Sequence, residues 1–319
     1  MIQKSYGGKK GSFYPQAAFW LFLLLFFLTN LWFLTRFPAV HSDESWLAGL
    51  TRTMMENHSL AVTEPFFDLK PRNPHAIKSL FHLLQMPFIA LFGYRIFSVR
   101  LLSLLSGCVG LVLFRGAVAR LSPRAAAPLV ASILLACDVQ FLYAAHFARQ
   151  EILICAAICA CIRLFLQHDE MLTGRTAAAL GLITGFSIGL HPNSFLIACM
   201  CGCIFLVRIL IYKTASFRQL GIYAAVTGGF ALCFVLASFA MDPDFIRHYL
   251  AYGESEFDLL VPVTSKAAEL GIFFKKLWYS VSGTYYLPNL KPQLLLFPLL
   301  MLCALAYAAV MRRDDPAQS

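Results

Sequence analysis

Apolar stretches long enough to cross a bilayer alternate along this chain with short polar connectors. Residues 17–34 and 292–310 carry no charge at all, and about 18 or more such residues in a helix cover a hydrocarbon core about 30 Å thick. Continued along the sequence, the same pattern predicts spans near 17–36, 97–114, 125–141, 152–168, 176–190, 194–212, 218–240 and 292–311, about eight in all. One apolar stretch, 77–92, is left over. As a helix it is about 24 Å long, and Lys78, His82 and Gln85 recur along one side of it. That pattern suits a helix lying in the headgroup layer better than one crossing it.

The charges test this choice, because counting 77–92 as a span would move every later loop to the opposite face. If it does not cross, the inner loops and termini hold 13 of the 26 basic residues but only four acids, Asp169, Glu170, Asp314 and Asp315. The inner face then carries all of the net charge of +9, as the positive-inside rule asks. Both termini are therefore expected on the cytoplasmic side. The parts are a transmembrane module over 1–241 with a first outward loop at 37–96, an outward loop at 242–291 with an amphipathic tract at 265–279, and a last span and tail over 292–319.

Composition agrees: 59% of the 319 residues are hydrophobic, 13% are charged, and the mean hydropathy is +0.68. A soluble domain would be about a quarter charged. Disorder and a secreted disulfide scaffold are excluded on the same grounds. The basic excess is explained by topology, so it does not call for a nucleic-acid partner. The ten cysteines lie nearly all in apolar runs and form no C-x-x-C pair, and read as small packing residues. No Walker motif or G-x-G-x-x-G loop is present, and the inner loops are too short for a nucleotide-binding domain.

Candidate chemistry gathers on the outward side. Asp43 and Glu44 follow the first span in His41-Ser42-Asp43-Glu44. Adjacent carboxylates at a membrane boundary are costly to desolvate, so one could take a proton from a hydroxyl while the other orients it. Equally, Ser42 or Asp43 could simply cap the helix that follows, with Glu44 in its first turn. Arg149 and Glu151 stand at the entrance of the fourth span, with His146 just before them. An arginine there could hold a phosphate, or snorkel and pair with Glu151 as an anchor. His191 in His191-Pro192-Asn193 breaks an apolar run on the same side, as a phosphate contact or a solvated turn. Basic groups at headgroup depth, Lys70, Arg72, Arg95 and Arg100, suit a lipid phosphate or plain lipid anchoring, and Asp242, Asp244, Arg247 and His248 are similarly ambiguous.

Four local patterns in this order resemble the C superfamily of membrane glycosyltransferases (GT-C), in the branch of the protein O-mannosyltransferases and the lipid A aminoarabinose transferase. They are Asp43-Glu44 after the first span; Phe92-Gly93, six residues, then Arg100-Leu101-Leu102-Ser103; the segment His146-Phe147-Ala148-Arg149-Gln150-Glu151; and Leu190-His191-Pro192. Pro74-His75 stands where relatives commonly have two prolines, and His191 where they have lysine. The resemblance implies an all-α polytopic bundle of the GT-C type and transfer of a sugar from a polyprenyl-phosphate carrier to a hydroxyl-bearing lipid, glycan or protein, with inversion. It makes Asp43 the general base with Glu44 as its partner, and Arg149, Glu151, His191, Arg100 and His146 the donor-binding set. No cofactor is required: a divalent cation is compatible with the paired carboxylates, but no His and Cys ligand set demands one. The expected location is a bacterial inner membrane with the site facing the periplasm.

Two other classes compete. A flippase or transporter of lipid-linked sugar would place polar residues mid-span, whereas this chain gathers them at one face. A non-catalytic subunit of a glycan-assembly complex would scatter the motif residues.

Overall fold

The computed structural model describes residues 13–63, 73–168 and 170–257, together with Leu299 and Leu302. Among them there is no strand. The helices in chain order are α1 (Phe13–Phe33), α2 (Ser42–Glu56), α3 (Ser79–Phe92), α4 (Ile96–Leu121), α5 (Ala127–Ala136), α6 (Val139–His146), α7 (Glu151–Gln167), α8 (Gly174–Ile188), α9 (Phe195–Leu210), α10 (Phe217–Met241) and α11 (Phe245–Phe257). The protein is a helical, membrane-integral one. α1, α4, α9 with its preceding turn, and α10 are long and apolar enough to cross a bilayer, and α5 with α6 makes a fifth if a bent pair forms one span.

Not every predicted span keeps its shape. The stretch expected as one span at 125–141 is two helices meeting at 67°. Asp138 causes the break, since its carboxylate accepts the Phe141 N–H at 2.8 Å and caps α6, which then runs on to His146. The stretches read as spans at 152–168 and 176–190 are α7 and α8, of 17 and 15 residues, short for a 30 Å core at about 1.5 Å per residue. The predicted span at 292–311, the amphipathic tract at 265–279, and the connector residues Asp68, Lys70 and Arg72 lie outside the described residues.

The leftover apolar stretch is α3, and its bonds hold it at one end of the bundle. At its start, Leu80 N–H donates to Gly189 O at the end of α8 (3.0 Å), and Ala76 N–H donates to Ser238 Oγ near the end of α10 (2.9 Å). Further along, Gln85 Nε2 donates to Val99 O in the first turn of α4 (3.0 Å). A helix tied at its beginning to the ends of α8 and α10, and at its middle to the start of α4, lies across that end. α2 is fastened beneath it through Thr51, whose hydroxyl meets Gln85 Oε1 at 2.6 Å and His82 Nδ1 at 2.8 Å. Buried polar groups so paired fix one docking geometry, because an unpaired one costs about 1–3 kcal/mol.

At the opposite end, Arg208 in the last turn of α9 donates to Phe165 O (3.0 Å) and His168 O (2.6 Å), carbonyls that the end of α7 leaves open. Between the ends, glycines permit close approach. Gly181, Gly185 and Gly189 repeat every four residues along α8, and a Cβ at any of them would collide with Val226, Phe230 or Phe234 of α10. That G-x3-G-x3-G pattern is plain in the sequence once α8 and α10 are known to touch, and small residues at such spacing are how apolar helices pack closely.

Candidate functional site

The polar residues singled out in the sequence fall into two clusters. Their common root is the turn into α2, where the chain leaves α1 and starts again after Pro38. The expected cap, Ser42 or Asp43, is not the one used. His41 caps α2 instead, its Nδ1 accepting the Asp43 N–H at 3.2 Å. This leaves the Asp43 carboxylate free of capping duty.

The first cluster is buried. Glu44 is 2% exposed and Arg100 is fully enclosed. Arg100 donates from Nε to Glu44 Oε1 at 2.6 Å and from Nη2 to Oε2 at 2.7 Å, a bidentate pair. Its remaining nitrogen, Nη1, donates to Leu34 O (2.9 Å) and Pro38 O (3.0 Å) after α1. Glu44 Oε1 also accepts the Ala148 N–H at 3.0 Å. Four segments are thereby pinned together: the exit of α1, the start of α2, the start of α4 and the loop before α7. The F-G-x6-R-L-x-S pattern gains a physical meaning here. Gly93, at φ +77°, makes the left-handed turn between α3 and α4 that favours glycine, Ser98 closes a capping box with Arg95, and Arg100 turns inward one turn later.

The second cluster is partly open. Arg149 Nη1 donates to Asp43 Oδ2 at 2.7 Å and Nη2 to Glu151 Oε1 at 2.8 Å, with the Asp43 side chain 45% exposed and that of Arg149 19%. Asp43 and Arg149 are 106 residues apart in sequence. The Arg149 guanidinium lies over the Phe147 ring, 5.7 Å from its centroid, while His41 meets the same ring edge-on at 5.8 Å. Arg149 Nε and Gln150 Nε2 are buried with no hydrogen-bond partner among the described residues. The cluster holds two carboxylates and one guanidinium, a net charge of −1.

The other predicted residues stand apart from this opening. His146 is buried, its Nε2 3.2 Å from Asn30 O in α1 and its ring edge-on to Phe37, so it packs α6 against α1. His191 caps its own turn, accepting the Asn193 N–H at Nδ1 (3.0 Å) ahead of the Pro192–Ser194 3-10 turn. That turn follows Gly189, whose carbonyl holds the start of α3. Asp242, Asp244, Arg247 and His248 form a separate group after α10, where Asp242 Oδ2 lies 2.6 Å from His248 Nδ1 and Asp244 pairs with Arg247 at 3.0 Å. The His248 hydrogen bond, with the Asp244 N–H, holds the Asp242 carboxyl below the usual carboxylate range.

Among the described residues no group of three or more His, Cys, Asp or Glu side chains forms a metal cage. Comparison with known proteins returns nothing that names the chain: no family model matches it, nor does any curated protein or solved structure.

Proposed function

We propose that the protein is a membrane glycosyltransferase that moves a sugar from a polyprenyl-phosphate carrier to a hydroxyl acceptor at the outward face, with Asp43 as the base. The observation that carries this reading is the meeting of Asp43, Arg149 and Glu151 in one part-open cluster, drawn from segments far apart in the sequence. Asp43 Oδ2 is taken by Arg149, but among the described residues Oδ1 makes no contact shorter than 4.0 Å to a basic group. It is the oxygen left to accept the proton of an acceptor hydroxyl as that oxygen attacks the anomeric carbon. The leaving group is a lipid phosphate, and a guanidinium beside the base is suited to the charge that grows on it.

For that, one fork of Arg149 must exchange a carboxylate for a phosphate oxygen, and Glu151 is the partner to be displaced, because Asp43 holds the arginine toward the acceptor. In this reading Glu44 and Arg100 are a positioning pair, not a reacting one, since every charged contact they make is to each other or to backbone. The eight-span topology with both termini cytoplasmic, and the periplasmic site, belong to this proposal. A transporter of lipid-linked sugar is the second reading. The placement of charge favours the transferase: among the described residues, the buried Glu44, Arg100, Arg208 and Asp242 all sit at helix ends, whereas a transport path calls for buried charge mid-span.

The test compares wild type and Asp43→Asn in vesicles containing radiolabelled polyprenyl-phosphate sugars. Label passing to non-carrier lipid, glycan or protein with wild type, and lost in an inserted mutant, supports the proposal. Label that changes leaflet without leaving its carrier supports the transporter.

A further inference from the structure

At the end of the bundle away from Asp43, three arginines stand inside helices with no acid beside them. Arg115 and Arg120 belong to α4 and Arg163 to α7. Arg115 precedes the last residue of α4 by six positions and Arg163 that of α7 by four, which sets their backbones about 9 Å and about 6 Å back from those ends. A guanidinium at such depth is costly unless it is paired or reaches out to the headgroups. Arg115 lies over the enclosed ring of Phe19 in α1, 4.6 Å from its centroid. Arg163 lies across to α4 at Gly116, so closely that a Cβ there would be 2.8 Å from Nε and 3.0 Å from Cδ and Cζ. Arg120 follows one turn after Gly116 on the same side of α4 and is exposed. Among the described residues none of the three has an ion pair or a side-chain hydrogen bond, whereas Arg208 at this end is met by two carbonyls. Asp169 and Glu170 follow Arg163 by six and seven residues; Glu170 is exposed and pairs with none of them, and Asp169 lies outside the described residues.

We propose that Arg115, Arg120 and Arg163 form a binding site for the headgroup of an anionic phospholipid in the leaflet at that end. The planar guanidinium fork matches phosphate oxygens, and basic groups between membrane helices at headgroup depth hold anionic lipids. Gly116 separates a site from scattered anchors. An anchoring arginine extends toward water, but the missing side chain at 116 lets Arg163 turn onto α4, so that the cation of one helix joins the two of another. A zwitterionic headgroup brings its own ammonium and leaves these three charges uncompensated; an anionic one does not. The site requires only the membrane-integral bundle and stands whether or not the protein transfers sugar.

The test places the full chain in nanodiscs of phosphatidylcholine alone and of phosphatidylcholine and phosphatidylglycerol in equal parts. It reads the unfolding midpoint in each, and the phosphatidylglycerol retained on the extracted protein by native mass spectrometry. Wild type should unfold several degrees higher in the anionic discs and retain phosphatidylglycerol. Arg163→Gln and Arg115→Gln should each weaken retention by about fivefold and narrow the gap between the two midpoints. Gly116→Ala is the deciding variant: it keeps every charge and asks only the flexible end of Arg163 to move, so it should fold and lose retention as Arg163→Gln does. Arg175→Gln, in the first turn of α8 at the same end, should retain lipid as wild type does. Retention unchanged in Gly116→Ala overturns the proposal, as does equal weakening by Arg175→Gln, which would mean a diffuse surface charge. A drop in midpoint for Arg163→Gln that is the same in both kinds of disc, with no loss of retained lipid, also overturns it, because Arg163 would then serve a partner within the protein.

Discussion

Asp43 and Glu44 are neighbours in sequence with the same charge, yet each meets its own arginine in a different setting. Glu44 is buried against Arg100 with all its oxygens engaged, whereas Asp43 is nearly half exposed and shares Arg149 with Glu151. An ion pair taken fully out of water has no spare capacity: desolvation leaves it tolerable only when every lone pair and proton is matched, and breaking it strands a charge. A pair at the surface costs little to make or break, and so can exchange partners during a reaction. The difference suits one pair to holding, and the proposed reaction places its chemistry at the other.

The sharpest way to break this contrast is to remove the buried cation. Arg100→Met leaves Glu44 with a single backbone donor, and the expected destabilisation is about 3–5 kcal/mol, read as a lowered unfolding midpoint in detergent. Glu44→Leu combined with Arg100→Met should recover a large part of that loss. If the single variant is as stable as wild type, Glu44 and Arg100 are not the pin described here.

Arg149→Lys probes the open cluster. Lysine keeps the charge but not the planar fork that reaches two carboxylates at once. Sugar transfer should fall by about 10²-fold with an unfolding midpoint within about 1 kcal/mol of wild type, measured on the same preparation. A loss of stability matching that of Arg100→Met would erase the distinction between the two arginines.

The smallest effect is expected at Asp242, a third carboxylate that resembles neither. The hydrogen bond with His248 holds its carboxyl below the usual carboxylate range in the folded protein, so its contribution to stability is complete above that range. That contribution is lost as pH falls below about 4. Asp242→Asn should therefore lower the unfolding midpoint slightly at neutral pH and flatten the acid side of the curve, variant and wild type converging as pH falls; no deficit at neutral pH, or one that persists unchanged in acid, would contradict the bond.

Much of this contrast could be approached from the sequence, but not completed there. The acidic pair and the Arg149-Gln150-Glu151 segment are visible because charges at the mouth of an apolar run stand out. The expectation that α3 does not cross comes from the distribution of arginines. What pairs with what is not legible, because Arg100 finds Glu44 across 56 residues and Arg149 finds Asp43 across 106, distances no local pattern encodes. Arg100 and Glu44 read alike as site residues when only their motif is known, and burial alone separates them from Asp43. His41 escaped notice because histidine is rarely a cap, and the break before α6 because Asp138 reads as a loop charge until its carboxylate is seen on the Phe141 N–H. His146, expected near the donor, turns inward because the backbone after α6 directs it at α1.

The most direct test of the central claim sets Asp43→Asn beside Glu44→Gln, each scored for both sugar transfer and unfolding midpoint in the same nanodisc preparation. The account predicts opposite signatures. Asp43→Asn should lose transfer by about 10²–10⁴-fold at an unchanged midpoint, and Glu44→Gln should lose several degrees of midpoint, with transfer per folded molecule falling far less. Equal losses of transfer at equal midpoints, or a stable and fully active Asp43→Asn, would contradict it.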